Sequence, residues 1–271
     1  MKTISQQEGQ LIRYFNQRNQ PCFSNSQAGE AYPQLSKNGI AKLLSHMTSK
    51  GLLMRVRSSL YYVIPYEKDA DTFMPDWHLL APYLVRDRDY YIAYASALQV
   101  HGLNTQPSLQ EQIVVNKQIR PSTLSVRGIP FQFIYHRDTH FFGYHETWVD
   151  SFHRVHCTDI EKTIIDSLFK PNYAGGIVEI AKAVCLAKNK LNMKKLLAYS
   201  QLFRSQAVIK RLGFLLELLH VKTPILKKLQ AIKSNSIAVL DPEIPSVGKI
   251  ITRWSIQQNI DSDTIQSSIL T

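Results

Sequence analysis

The chain has 271 residues, of which 44% are hydrophobic and 20% charged, and its 32 Lys and Arg against 21 Asp and Glu give a formal net charge of +11. This composition is too apolar for a disordered chain and is sufficient for one large core or two smaller ones. Three widely spaced cysteines with no CxxC pair exclude a disulfide framework and a zinc ribbon, and favour a reducing cytoplasm. The sequence has neither the apolar core of a signal peptide nor an apolar run long enough for a membrane span, so we expect a cytoplasmic protein without membrane association.

The positive charge is concentrated in two regions. Residues 1–66 carry eight basic and two acidic side chains, and residues 171–235 carry twelve and two. The stretch between them is acidic over 67–110 and neutral over 111–170. This pattern indicates two surfaces able to meet polyanions, although exposed charge that serves only solubility gives the same counts.

Residues 1–66 have the organisation of a winged helix-turn-helix domain. Apolar spacing predicts a first helix over about 4–18. Ser24 and Gln27 are spaced as a capping box that opens a short second helix, and Ser36 is placed to cap a third. The order of three helices followed by a basic hairpin is typical of this domain.

The third helix has one apolar and one polar face. Its core positions follow helical spacing: Ile40, Leu43, Leu44 and Met47. The opposite stripe is small, polar and positive: Asn38, Ala41, Lys42, Ser45 and Ser49. Because the stripe has no acidic group to repel phosphates, it suits a helix that lies against base edges and the DNA backbone.

Residues 52–64 read as two short strands around a polar turn, which would form the wing. Arg55 and Arg57 alternate with Met54 and Val56, so we expect the arginines to share one face while the apolar pair packs inward. The predicted DNA-binding residues are Ser24, Asn25, Lys37, Asn38, Lys42, Ser45, Ser49, Arg55, Arg57 and Ser58.

The remainder predicts a linker and then a mixed α/β domain, so the expected fold class is α+β. Residues 65–76 combine two prolines with alternating charge, and we assign 67–76 as the linker. Residues 77–271 form the second domain, with a mainly antiparallel sheet over about 111–156 and helices over about 158–233. The pattern predicts helices at 77–88 and 90–102, strands at 113–115, 131–135 and 141–144, a hairpin turn at 127–128, and an edge segment near 155. It then predicts a helix opened by a Thr158–Glu161 capping box, further helices at 174–189, 192–201, 205–220 and 224–233, a strand-like 237–240 and a polar tail.

The second basic region forms consecutive amphipathic helices. Its cations form either a surface that binds nucleic acid or a merely solvated face, and the sequence leaves the two interpretations open. The candidate residues are Lys188, Lys190, Lys194, Lys195, Lys210, Arg211, Lys227 and Lys228.

Catalytic and metal motifs are missing from the sequence. No [Asp/Glu]-x-Lys triplet, phosphate-binding loop or nucleophile elbow occurs, and His145-Glu146 lacks the second histidine of a zinc-protease motif. Five histidines lie within 21 positions but without matching carboxylate or cysteine spacing: His136, His140, His145, His153 and His156. We therefore expect no enzyme activity, no cofactor and no metal.

Four ordered motifs resemble the AbiEi family of transcriptional regulators, which serve as antitoxins of type IV toxin–antitoxin (abortive infection) systems. They are YYIAYASALQVHGL at 90–103, TDIEKTIID at 158–166, YAGGI at 173–177 and RLGFLLE at 211–217. The resemblance implies a bacterial protein that represses its own operon through the N-terminal domain, with operator DNA as partner. It also implies that the C-terminal domain counters a cognate nucleotidyltransferase toxin without requiring direct contact.

Two alternatives remain at the level of the sequence. One is a ligand-responsive winged-helix regulator whose α/β domain holds a small molecule. The other is a nucleic-acid-processing enzyme that uses the winged helix for targeting.

Overall fold

The computed structural model describes residues 3–269, and the chain divides into two compact units. The first comprises Met1–Arg86 with Ser125–Ile129, and the second comprises Asp87–Leu124 with Pro130–Thr271. The architecture is α+β, as the composition and patterning predict. Within residues 3–269 every helix is too short or too polar to cross a membrane.

The first unit combines helices with a three-stranded antiparallel sheet. Its elements are α1 (Gln6–Asn16), β1 (Cys22–Ser24), α2 (Asn25–Ala31), α3 (Lys37–Ser49), β2 (Leu53–Arg57), β3 (Leu60–Val63), a 3-10 turn (Trp77–Leu80) and α4 (Ala81–Val85). The strand order is β1-β3-β2, both pairings being antiparallel. The short strand β1 has no counterpart in the sequence prediction.

Side-chain caps define where the first three helices begin. Ser24 and Gln27 form the predicted capping box of α2, and Ser36 accepts a hydrogen bond from the Gly39 N–H at the start of α3. Their apolar faces close over one core, in which the rings of Phe15 and Phe23 stack at 3.9 Å. Both capping predictions are confirmed.

The boundary of the first unit lies beyond the predicted one. Residues 67–76, predicted as a linker, belong to the first unit, as do the residues up to Arg86. Nη1 of Arg127 donates to the carbonyl oxygens of Ala70, Asp71 and Phe73 at 2.7, 3.2 and 3.0 Å, which fixes this segment. The predicted helix at 77–88 is shorter, because Arg86 leaves the helical region with φ 59°.

The second unit is built on a six-stranded mixed sheet with the order β6-β7-β5-β4-β9-β8. Its strands are β4 (Tyr90–Ile92), β5 (Glu111–Val115), β6 (Thr123–Val126), β7 (Ile129–Tyr135), β8 (Tyr144–Trp148) and β9 (Arg154–Thr158). The β5–β7 and β4–β9 pairings are parallel, whereas β4–β5 and β8–β9 are antiparallel. The sheet therefore contains both parallel and antiparallel pairings.

Helices supply the larger core of this unit. They are α5 (Tyr94–Val100), a 3-10 turn (Asp138–His140), α6 (Ile160–Phe169), a 3-10 turn (Pro171–Ala174), α7 (Gly176–Ala187), α8 (Met193–Phe203), α9 (Gln206–Leu218), α10 (Ile225–Ile232) and α11 (Ser262–Ile269). The helices predicted over the second basic region are present within a few residues of their expected limits. Their buried aliphatic side chains form one continuous cluster.

The single helix predicted over 90–102 is wrong in its first part. Tyr90–Ile92 form β4, which lies between β5 and β9, and only Tyr94–Val100 are helical. Ile92 pairs with Ile113 on one side and with Cys157 on the other. Pairing on both edges of a fully buried segment outweighs the local helical pattern.

Two further local predictions fail around α6. Thr158 is the last residue of β9, and the cap of α6 is Asp159, whose carboxylate accepts from the Lys162 N–H at 2.8 Å. The carboxylate of Glu161 instead accepts from the Asn192 N–H at 2.7 Å. The strand predicted at 141–144 begins only at its last residue.

The third sheet combines the predicted strand-like segment 237–240 with two strands from the segment predicted as a polar tail. Strands β10 (Ala238–Val239), β11 (Lys249–Ile251) and β12 (Ile256–Gln258) have the order β10-β12-β11. Trp254, which is 1% exposed, packs against Gly213 of α9, where a Cβ atom would lie 2.0 Å from the indole ring. Trp254, Ile256 and Ile265 thus anchor a mostly polar segment in the core of the second unit.

Candidate nucleic-acid interface

Helix α3 presents an exposed polar stripe on the first unit. Ile40, Leu44 and Met47 are buried, as the helical spacing predicts. All five predicted stripe residues are exposed, and Lys37 at the start of the helix is exposed with them: Asn38, Ala41, Lys42, Ser45 and Ser49. The helix therefore offers short hydrogen-bonding side chains and two ammonium groups to solvent on one side.

Acidic groups do not offset the charge of this stripe. Glu8 of α1 is buried, and its carboxylate accepts from Nζ of Lys50 at 3.0 Å. Burial opposes ionisation of Glu8, but hydrogen bonds from Ser5 and the Lys50 ammonium hold its pKa below the ordinary value. Within residues 3–269, no carboxylate oxygen lies within 4.0 Å of Nζ of Lys37 or Lys42, so both charges remain available.

The two arginines of the β2–β3 hairpin differ in exposure and in contacts. Arg55 is exposed, while Arg57 is half-buried with Nη2 3.4 Å from the carbonyl oxygen of Tyr83. Burial, together with the nearby Arg86, lowers the pKa of Arg57. Met54 and Val56 are buried, as the alternation predicts, and the pairing with β3 shifts register between the two arginines, which differ in exposure.

The hairpin turn is tied to the start of α2. The Asn25 N–H donates to the carbonyl oxygen of Ser59 at 3.2 Å, and Ser58 of the same turn is exposed. Oγ of Ser24 accepts the Gln27 N–H and lies 2.7 Å from Oγ of Ser26. Ser24 is therefore occupied as a helix cap, which leaves Asn25 and Ser58 as the polar groups of this corner.

Arg127 is a further cation of the first unit that sequence reasoning placed only in a turn. Together with Ser49 and Arg55 it lines a cavity of about 400 Å³ beside the end of α3. Arg127 has a positive φ of 47°, and the glycine that follows it is the turn signal that the sequence carries. No sequence signal connects it to α3, because the residues are far apart along the chain.

In the second basic region, most of the candidate lysines are exposed. Lys195 is half-buried, and its Nζ lies 3.0 Å from Oδ2 of Asp159 and 3.3 Å from Oε2 of Glu161. The exposed candidates are Lys188, Lys190, Lys194, Lys227 and Lys228. These five residues form what we call the lysine face.

Lys210 and Arg211 were predicted as surface residues, and this prediction is wrong. Lys210 is fully buried and its Nζ donates to Oγ of Ser234 and Ser236 at 3.1 and 3.0 Å. Arg211 donates from Nη1 to the carbonyl oxygen of Leu168 at 2.7 Å, and from Nε and Nη2 to that of Val239. Burial lowers the pKa of Arg211 to about 10. Because α9 is packed on all sides, its cations serve as internal hydrogen-bond donors.

The histidine cluster separates into a buried pair and three other residues. His136 is hydrogen-bonded through Nδ1 to the Tyr91 hydroxyl at 3.0 Å and through Nε2 to the Tyr94 hydroxyl at 2.8 Å. Burial and the nearby Lys162 lower its pKa to about 2, so it is neutral. His140 stacks on Phe203 at 3.8 Å.

His145 and His153 are exposed and His156 is half-buried. Among residues 3–269, no three His, Cys, Asp or Glu side chains converge in an arrangement suited to a metal ion.

Comparison with known proteins gives a structural relative. No protein-family model and no curated protein matches the sequence. The crystal structure of the RV2827C protein from Mycobacterium tuberculosis is similar, with a TM-score of 0.72, 12% sequence identity, and coverage of 94% of this chain and 92% of that chain. At this identity the likeness shows a shared fold over nearly the whole chain, and the chemistry of the site rests on the residues described above.

Proposed function

We propose that the chain is a DNA-binding transcriptional autorepressor whose first unit is a winged helix-turn-helix domain. The observation that carries the proposal is the exposed, acid-free stripe of α3, with Lys42 among short polar side chains. Side chains of this kind hydrogen-bond to base edges in the major groove, while the ammonium group meets phosphate. Arg55, exposed on the neighbouring hairpin, would contact the backbone or the minor groove.

The test is binding of the full chain to a DNA fragment of its own promoter, measured over a range of salt concentrations. Replacing Asn38, Lys42 and Ser45 together with Ala should weaken specific binding by about 100-fold or more, because each good base contact contributes about 1–3 kcal/mol. The matched control is Arg13→Ala, which removes an exposed cation from α1. Equal losses in the triple variant and the control would contradict a recognition role for α3.

We propose further that the protein is an AbiEi-type antitoxin that neutralises a nucleotidyltransferase toxin through its second unit. The support is the resemblance of the four sequence motifs, together with the lysine face as an accessible surface. We first expect a nucleotidyltransferase-like gene to lie beside the gene that encodes this protein. Coexpression of the two genes should rescue growth, and residues 87–271 should carry the effect. Rescue that required only the first unit would contradict this assignment.

A further inference from the structure

A basic pocket opens in the second unit where three segments meet. It lies between the end of β7, the end of α6 and the turn from α8 into α9, and has a volume of about 430 Å³. The residues that matter to its chemistry are Tyr135, Arg137, His140, Lys170, Arg204 and Ser205. Its volume lies within the range of small-molecule sites.

Three of these residues are cations without acidic partners. Arg137, Lys170 and Arg204 come from different elements, and no carboxylate oxygen within residues 3–269 lies within 4.0 Å of their charged nitrogens. By contrast, Lys182 in the same unit is paired with Glu179 at 2.9 Å. Arg137 and Arg204 are exposed and Lys170 is half-buried. Their convergence on one cavity with no acidic group in its lining makes the cavity electropositive, which favours the binding of an anion.

Arg137 is oriented by a neutral group. Its Nη2 donates to Nε2 of His140 at 3.1 Å. Burial and Arg137 itself lower the pKa of His140 to about 4, so this imidazole is uncharged and acts as an acceptor. The guanidinium is therefore held in place while its full positive charge remains available to a ligand.

Arg204 occupies a backbone position that favours glycine. It ends α8 with φ 55° and ψ 34°, in the left-handed region. Lys170 and Arg204 both follow helix carboxyl ends, where cations are favourable. A favourable charge at a helix carboxyl end does not explain Arg137. It also does not explain why arginine, rather than the usual glycine, occupies the left-handed position at residue 204.

The remaining lining suits a nucleotide. Ser205 caps the 13-residue helix α9, whose first-turn N–H groups lack partners within the helix. Tyr135, which is 52% exposed, and Phe169 supply aromatic surface at the pocket. Cations beside aromatic rings match a phosphate linked to a base.

We propose that this pocket binds the phosphomonoester of a nucleotide, with Arg137, Lys170 and Arg204 holding the phosphate oxygens and Tyr135 flanking the base. The phosphomonoester can belong to a free nucleotide or to the 5′ end of a strand. Both sources present the same dianion to the three cations.

The test is calorimetric titration of the full chain with adenosine 5′-monophosphate, with adenosine, and with a short oligonucleotide carrying either a 5′-phosphate or a 5′-hydroxyl. We expect binding only for the phosphorylated probes. A preference for the mononucleotide would identify a free nucleotide, and a preference for the phosphorylated oligonucleotide a strand end. Failure of both phosphorylated probes to bind, or equal binding of adenosine, would overturn the proposal.

The decisive variant is Arg204→Gly, because glycine is favoured at this left-handed position and the protein should remain folded. Affinity for the phosphorylated probe should fall at least tenfold, whereas promoter binding by the first unit should be unchanged. Lys188 lies outside the pocket in the same unit. The control is Lys188→Gln, which removes one exposed charge and is more suitable than Lys188→Gly. If Arg204→Gly and Lys188→Gln retain equal affinity, the pocket does not bind the phosphate.

Discussion

The two basic regions of this protein use the same residue types differently. In α3 one face is buried and the other is exposed, so Lys37 and Lys42 project into solvent, and no carboxylate of residues 3–269 pairs with them. In α9 nearly every position from Val208 to Leu216 is buried, and the cations Lys210 and Arg211 bind carbonyl and hydroxyl oxygens inside the unit. Net charge therefore does not predict where an anion can bind; the surroundings of each cation do.

The largest effect should come from removing an internal cation. Arg211→Met would leave the carbonyl oxygens of Leu168 and Val239 without their donors. Each unsatisfied buried group costs about 1–3 kcal/mol, so the free energy of unfolding should fall by about 3–5 kcal/mol in urea denaturation. The exposed Lys227→Ala should change it by less than about 0.5 kcal/mol. A similar loss of unfolding free energy in both variants would contradict the distinction between internal and surface cations.

A smaller effect is expected from acidification, which acts on the buried histidines of the second unit. The pKa values of His136 and His140 are lowered to about 2 and about 4, below the 6.5 of the unfolded chain. Stability from these residues is present above pH 6.5 and is lost as the pH falls, because the unfolded chain then binds protons that the folded chain refuses.

Asp166 acts in the opposite direction. Burial raises its pKa to about 6, so between about pH 6 and pH 4 the folded chain holds a proton that the unfolded chain has not yet bound. The two histidines lower stability as the pH falls, and Asp166 offsets part of this loss. The free energy of unfolding should therefore fall by about 2 kcal/mol between pH 7 and pH 5, measured by denaturation in buffers of equal ionic strength. His136→Gln should flatten this dependence, and a slope unchanged by the substitution would show that His136 is not its source.

The smallest effect separates the two arginines of the hairpin. Arg55→Ala should weaken promoter binding about tenfold and reduce the slope of log affinity against log salt by about 0.9, as expected for one lost phosphate contact. Arg57→Ala should change binding less and lower the melting temperature more, because Arg57 is half-buried against the Tyr83 carbonyl. The reverse order would show that Arg57 is the phosphate contact.

Tertiary pairing decided the places where sequence reasoning failed. The 90–102 segment is rich in small residues and ends in a glycine, which predicts one helix, yet Tyr90–Ile92 form a strand because β5 and β9 flank them. Thr158 and Glu161 have capping-box spacing, yet Asp159 caps α6 because Thr158 is held in β9. In each case a partner distant along the chain competes with a local pattern.

The sequence by itself determined the features that depend on neighbouring residues. The caps at Ser24 and Ser36, the exposed stripe of α3 and the alternation of Met54 and Val56 all follow from contacts within a few positions. Helical and strand periodicity assign one face to the core when the element lies at the surface, and for α3 this assignment was sufficient.

Only the tertiary structure decided which cations are available. The burial of Arg211, the contact of Arg127 with residues 70–73, and the meeting of Arg137, Lys170 and Arg204 at one pocket join residues far apart in sequence. Whether a charged side chain meets solvent, a carboxylate or a backbone carbonyl depends on which elements pack around it. That packing is set by long-range burial of apolar surface, which no local window of sequence contains.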